Sequence, residues 1–216
     1  MAGSAGGLLA SFFFGSFFSL VTIINPPSAI PLFNALAAGL DDQGTERLAR
    51  DASFYVFSIL TVSLFAGGLI LNVFGISYGA LRIAGGLVVA LLGHGMLFGR
   101  DERGTRQAVA ARNTAFFPLA LPGLSGPGSI AVIIGISTEI REIAPLVETL
   151  LAWVATVAAI VCTSLLTWLV LHSARRISHR LGPNGIEVMT RLMGFLLVCI
   201  GVQFVASGIR TFVSGI

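Results

Sequence analysis

The sequence predicts an all-α membrane protein: six transmembrane helices in two inverted three-helix repeats, with helices 1 and 4 broken near the midplane. Three observations carry that prediction. Charged residues are 11% of the 216 and apolar residues 55%, with a mean hydropathy of +0.92; so few charges cannot cover a soluble globule. Apolar runs of about 20 residues, the length that crosses a hydrocarbon core, recur along the chain. Two of those runs are interrupted by prolines, in "NPPSAI" at 25–30 and "GPGSIA" at 126–131.

Taken in order, the expected spans are 8–38, 52–74, 78–98, 114–138, 147–172 and 192–213. The first shows none of the basic residues of a signal peptide between Met1 and Gly7 and is read as mature chain. Arginine placement orients the set. The connections after spans 1, 3 and 5 hold ten arginines: Arg47, Arg50, Arg100, Arg103, Arg106, Arg112, Arg175, Arg176, Arg180 and Arg191. Only Arg82, Arg141 and Arg210 fall on the other side. The positive-inside rule then puts those three connections in the cytoplasm and both termini on the outside. All ten carboxylates lie outside the apolar cores.

An internal repeat organises the spans into two halves, 1–110 and 111–216. An offset of 101 lays Pro26 on Pro127 and Ser28 on Ser129. An offset of 109 lays 81–96 on 190–205, so that Arg82 meets Arg191, Gly85 meets Gly194 and His94 meets Gln203. The difference is assigned to a longer basic loop between spans 5 and 6. Three spans is an odd number, so the halves are related by inversion, as in many secondary transporters. Arg82 and Arg191 are each expected to open the last helix of a half and to snorkel toward the interface.

The breaks supply chemistry that the apolar core otherwise lacks. Irregular backbone at membrane depth is tolerated where it is buried in protein or lines a cavity. Each break exposes helix ends: free N–H groups that attract a carboxylate and free carbonyls that attract an ammonium or a cation. The candidate substrate-binding residues are therefore Asn25, Pro26, Pro27, Ser28, Ser125, Gly126, Pro127, Gly128 and Ser129. Ser28 and Ser129 are expected to cap the resumed helices. The competing reading is a pair of proline kinks that only shape packing.

These stretches, "NPPSAIPLF" at 25–33, "LRIAGGLVVALLG" at 81–93, "LSGPGSIAVII" at 124–134 and "RLMGFLLVCIGVQFVASGI" at 191–209, resemble the MarC family of bacterial inner-membrane proteins, which includes SnatA-type neutral amino acid transporters. The resemblance implies six helices, periplasmic termini, kinship with the LysE-type exporter superfamily, and secondary transport of small neutral amino acids such as alanine or glycine. It places the family motifs on Asn25, Pro26, Ser28, Gly126, Pro127, Gly128 and Ser129. Pro27 departs from the small residue expected there and removes one N–H from the first break. A channel or a carrier for another small solute is the alternative reading.

Other functions are weighed against the residue inventory. An enzyme needs a nucleophile with a base, paired carboxylates or a metal cluster. Away from the span ends, where Glu148 and His172 sit, the apolar cores hold no Asp or Glu and one histidine, His94, read as interfacial. The chain is thus expected not to be an enzyme and to need no cofactor; coupling to H+ or Na+ through carbonyls and hydroxyls stays open. The expected partners are the amino acid and the lipid bilayer. No basic face with interleaved aromatics suggests nucleic acid. Gly75-x-x-x-Gly79 and Gly95-x-x-x-Gly99 fit close helix packing or a homo-oligomer seam. Cys162 and Cys199 read as small buried hydrophobes, Asn72 and Gln203 as pathway or interhelical amides, and Trp153 and Trp168 as interfacial anchors.

Overall fold

The computed structural model describes residues 2–98, 114–143 and 145–214. The arginines at 100, 103, 106 and 112, the 110/111 boundary and Gly99 lie outside the described residues. Among the described residues the regular structure is helical, with no strand. Five segments are long and apolar enough to cross a membrane: Gly6–Leu36, Asp42–Val73, Tyr78–Phe98, Leu146–His172 and Asn184–Val213.

Helix α1 (Ala2–Ile24) ends at Asn25, is followed by a 3₁₀ turn over Pro26–Ala29, and resumes as α2 (Ile30–Leu36). Helix α3 (Asp42–Val73) opens on Asp41, whose carboxylate accepts the Gly44 N–H at 2.7 Å, a standard N-cap. Its 32 residues run roughly 48 Å at 1.5 Å each, longer than the ~30 Å hydrocarbon core, so its polar first turns stand clear of the lipid tails. Gly75, at φ +62, supplies the left-handed turn into α4 (Tyr78–Phe98).

The fourth expected span takes a different form. It consists of α5 (Ala115–Leu124), which is π-wound, and α6 (Pro127–Arg141); neither piece alone reaches the length of a span. The cause lies in the sequence: Pro118 and Pro122 lack the amide hydrogens that an α ladder requires, and a five-residue bond from Ser125 N–H to the Ala120 carbonyl, 2.7 Å, closes the last turn.

Helix α7 (Leu146–His172) buries a stripe of small residues, Ala152, Ala155, Thr156, Ala159 and Thr163, against α1 and α3. Three of its threonine hydroxyls are satisfied within the helix: Thr156 donates to the Ala152 carbonyl at 2.9 Å, Thr163 to Ala159 at 2.8 Å and Thr167 to Thr163 at 2.9 Å, whereas the buried Ser164 hydroxyl has no partner among the described residues. The opposite face exposes Leu150, Val154, Val161, Leu165 and Leu169, an apolar surface suited to lipid.

The connection expected as a long basic loop is instead mostly helical. Helix α8 (Ala174–Ser214) begins directly after α7 and is interrupted only at Gly182, φ 65 and ψ 175. Ala174 is fully buried and Ile177 packs on the core, three residues apart on one helical face, while Arg175, Arg176 and Arg180 point outward. Arg175 reaches back to the Asp42 carboxylate at 2.7 Å and the Leu40 carbonyl at 3.0 Å.

Helices α4 and α8 pack antiparallel with their backbones in near contact. A Cβ on Gly86 would lie 2.7 Å from the Gly201 carbonyl oxygen, and one on Gly201 2.6 Å from that of Gly86. The same reciprocity joins Gly93 with Gly194 and Gly79 with Gly208. Seven residues, about two turns, separate successive members on each helix. The expected GxxxG pairs do not form this seam: Gly95 faces open space and Gly75 sits in a turn with nothing near it. Cys199, expected inside, is exposed on α8, and Cys162 is half-buried; a thiol behaves as a small hydrophobe, which lipid accommodates as well as protein.

Candidate functional site

The two breaks are built differently from similar sequences. At the first, Asn25 adopts a left-handed conformation, φ 43 and ψ 64, one that asparagine tolerates better than most residues. At the second, Gly126 is extended, φ −72 and ψ 177. Each precedes a proline at the first helical position, where a missing N–H costs nothing.

That proline also fixes where the serines fall. Ser28 and Ser129 were expected to cap, but each lies three residues after its cap, inside the first turn. There the hydroxyls donate rather than accept: Ser28 Oγ to the Asn25 carbonyl at 2.8 Å, and Ser129 Oγ to the Gly126 carbonyl at 2.9 Å. The two halves thus make the same local bond at equivalent positions. The Ser28 N–H also bonds the Asn25 carbonyl, at 2.8 Å, whereas the first amide of α6 to return to Gly126 is that of Ile130, at 3.2 Å. With Pro26 and Pro27 lacking N–H groups, the first break keeps fewer donors to spare than the second.

The breaks meet. Ser28, Gly126, Gly128 and Ser129 line one cavity of about 30 Å³, closed by Val89 of α4 and Leu197 of α8. A volume of that size holds roughly one water molecule, far less than an amino acid. Asn25, Pro26, Pro27, Ser125 and Pro127 do not line it. Asn25 is buried and its amide donates to the Met193 sulfur at 3.2 Å, tying the first break to α8. Ser125 is fully buried, and its hydroxyl has no hydrogen-bond partner among the described residues.

Beside this constriction lies a much larger cavity of about 680 Å³, between α1, α4, α6 and α8. Ile23 lines both. Ser11, Gly15, Ser19 and Thr22 form its α1 wall, spaced on one helical face. Ser11 to Ile23 spans roughly 18 Å of helix. The remaining polar lining includes Tyr78, Arg82, Glu139, Gln203 and Ser207. Arg82, expected to snorkel at a helix end, therefore faces this cavity, with its guanidinium 4.7 Å from the Tyr78 ring centroid. Arg191, its expected counterpart, is exposed and ion-paired with Glu187. Gln203 lines the cavity; Asn72 is exposed. His94 is exposed and packs its ring on Phe98, 4.6 Å between centroids.

Sequence reasoning missed Tyr78, Glu139 and the α1 wall. Helical spacing of serines inside an otherwise apolar run was the available signal for that wall.

Residues 10–213 match the model of the "MarC family integral membrane protein". The chain is 38% identical over 203 residues to proteins named "UPF0056 inner membrane protein MarC" from Salmonella arizonae, Citrobacter koseri and Escherichia coli, covering 88% of this chain and 90% of each relative. No solved structure matches it. The near-complete span of that likeness, together with the helical architecture, identifies the chain as a member of the MarC family, a multi-pass integral membrane protein of the bacterial inner membrane.

Proposed function

We propose that the protein is a secondary transporter of small neutral amino acids, of the alanine or glycine type, working by alternating access about the paired breaks, and that it is not an enzyme. The observation that carries this reading is the single cavity lined by Ser28 from one break and Gly126, Gly128 and Ser129 from the other, next to a cavity of about 680 Å³, within the usual range for small-molecule sites. A constriction beside a roomy cavity is the form expected of a carrier closed on one side. An open channel would leave a continuous path.

In this reading α5 and α6 together make a sixth crossing, and the halves 1–110 and 111–216 are inverted repeats. The glycine seam supports the symmetry and refines its register. At an offset of 108 rather than 109, Gly86 falls on Gly194, Gly93 on Gly201 and Val89 on Leu197. The exchange then converts the Gly86–Gly201 pair into the Gly194–Gly93 pair, the self-complementarity that a twofold relation demands. It also pairs Val89 and Leu197, which close the break cavity from opposite helices. With both termini in the periplasm, as the arginine distribution suggests, the larger cavity faces outward. The second break, richer in free amides, is the stronger carboxylate holder of the two.

The test is counterflow of labelled alanine and glycine in proteoliposomes. Saturable, protein-dependent exchange is expected. Absence of flux across several small amino acids, with and without H+ or Na+ gradients, overturns the proposal, and non-saturating conductance in a planar bilayer replaces it with a channel.

A further inference from the structure

The larger cavity contains side chains of both charge signs that form no direct ion pair with each other among the described residues. Arg82 and Glu139 both line it, yet neither belongs to an ion pair among the described residues, whose pairs are Arg50–Asp51, Arg175–Asp42 and Arg191–Glu187. The Arg82 Nε is buried and has no hydrogen-bond partner among the described residues. An ionised side chain inside a membrane segment is costly and marks a functional position by default. A buried guanidinium donor left unmade is costlier still.

The surroundings hold Arg82 in place. It stacks over Tyr78, one turn before it on α4. The Tyr78 hydroxyl in turn sits directly against Gly135 of α6, where a Cβ could not fit. The guanidinium is therefore held by Tyr78, through both its ring and its hydroxyl, rather than by an ion-paired counter-charge. Its flat fork suits two-point binding of a carboxylate. Apolar walls at Val132, Ile136 and Ile200 complete the lining.

We infer that Arg82 and Glu139 form an outer binding station for a small zwitterion, with Arg82 taking the carboxylate, Glu139 the ammonium and the apolar wall a short side chain. The station lies ahead of the break cavity, which in this conformation is too small to admit the solute. This deepens the proposed transport reading and takes from it only the class of solute. It also assigns the first contact to two side chains rather than to the half-helix ends.

Arginine-specific labelling with phenylglyoxal on the intact protein in detergent or membranes, read at Arg82 by mass spectrometry, tests it. Alanine is expected to protect Arg82 strongly, propionate more weakly, and alaninol, which lacks the carboxylate, not at all. Glu139→Gln should reduce protection by alanine while leaving that by propionate intact. Equal labelling with and without carboxylate solutes overturns the inference, as does equal protection by alaninol. In parallel counterflow, Arg82→Gln should raise the half-saturation concentration for alanine by roughly tenfold or more, with Arg82→Lys intermediate. Wild-type flux without protection refutes the station but leaves the transport reading standing. Protection without flux does the opposite.

Discussion

Gly93 and Gly194 face each other across the α4–α8 seam so closely that a Cβ on Gly93 would lie 2.5 Å from the Gly194 carbonyl oxygen, and one on Gly194 2.8 Å from that of Gly93. The obstruction on each side is backbone, which cannot rotate away. Gly93→Ala or Gly194→Ala must push the helices apart. Overpacking of this kind costs about 1–3 kcal/mol, so a lowered Tm of the detergent-solubilised protein is expected. Gly95→Ala, facing open space, serves as the control and should leave Tm unchanged or slightly higher, since alanine favours helix. If all three behave alike, the seam is wrongly identified.

Asn25 is the one non-glycine residue at positive φ among the described residues. Asn25→Gly should retain the backbone of the first break and lose only the amide contact with Met193. Asn25→Ala should lose both and suffer roughly 1 kcal/mol of additional strain. Thermal unfolding of the two variants side by side measures that ordering. An alanine variant as stable as the glycine one would show that the left-handed conformation is not held in the folded protein.

Gly128 sits under Val89: an added Cβ would lie 2.5 Å from a Val89 methyl carbon. Gly128→Ala should therefore fill the break cavity and suppress counterflow while the protein still inserts. The clash involves one side chain, so Val89→Ala should restore much of the flux in the double variant. A strong coupling in this cycle is expected because the residues touch. Additive losses would mean that Gly128 acts on something other than this cavity.

Ser125 separates stability from binding. Its hydroxyl is buried and unpartnered among the described residues, an arrangement that costs folding free energy. Ser125→Ala should consequently be neutral or stabilising by up to about 1 kcal/mol in thermal unfolding. If the hydroxyl serves the solute at the second break, the same variant should bind alanine more weakly in a direct binding assay. Unchanged binding would remove Ser125 from the site.

Five of the six expected spans were legible because apolar length is a strong signal, and the breaks because proline in such a run has few explanations. That the breaks share a cavity followed from matching "NPPSAI" with "GPGSIA", and Ser28 and Ser129 do line one space. What the sequence hid was contact between distant elements. GxxxG spacing drew attention to Gly95, whereas the seam uses glycines seven residues apart, and nothing local tells which glycine meets a partner. Arg82 read as a helix-end anchor because its environment is made by α1, α6 and α8, all far from it in the chain. The roles of Ser28 and Ser129 were misjudged for a local reason: proline at the first helical position moves the cap back to Asn25 and Gly126.

The hydroxyls of α7 have a mechanical consequence. Thr156, Thr163 and Thr167 each bond within their own helix, and among the described residues no hydrogen bond joins α7 to α1, although the two pack extensively. Sliding α1 along α7 would rupture no directional bond and would exchange one set of van der Waals contacts for another. Resistance to such sliding rests on side-chain packing alone, whereas at the α4–α8 seam backbone meets backbone and any separation is opposed directly.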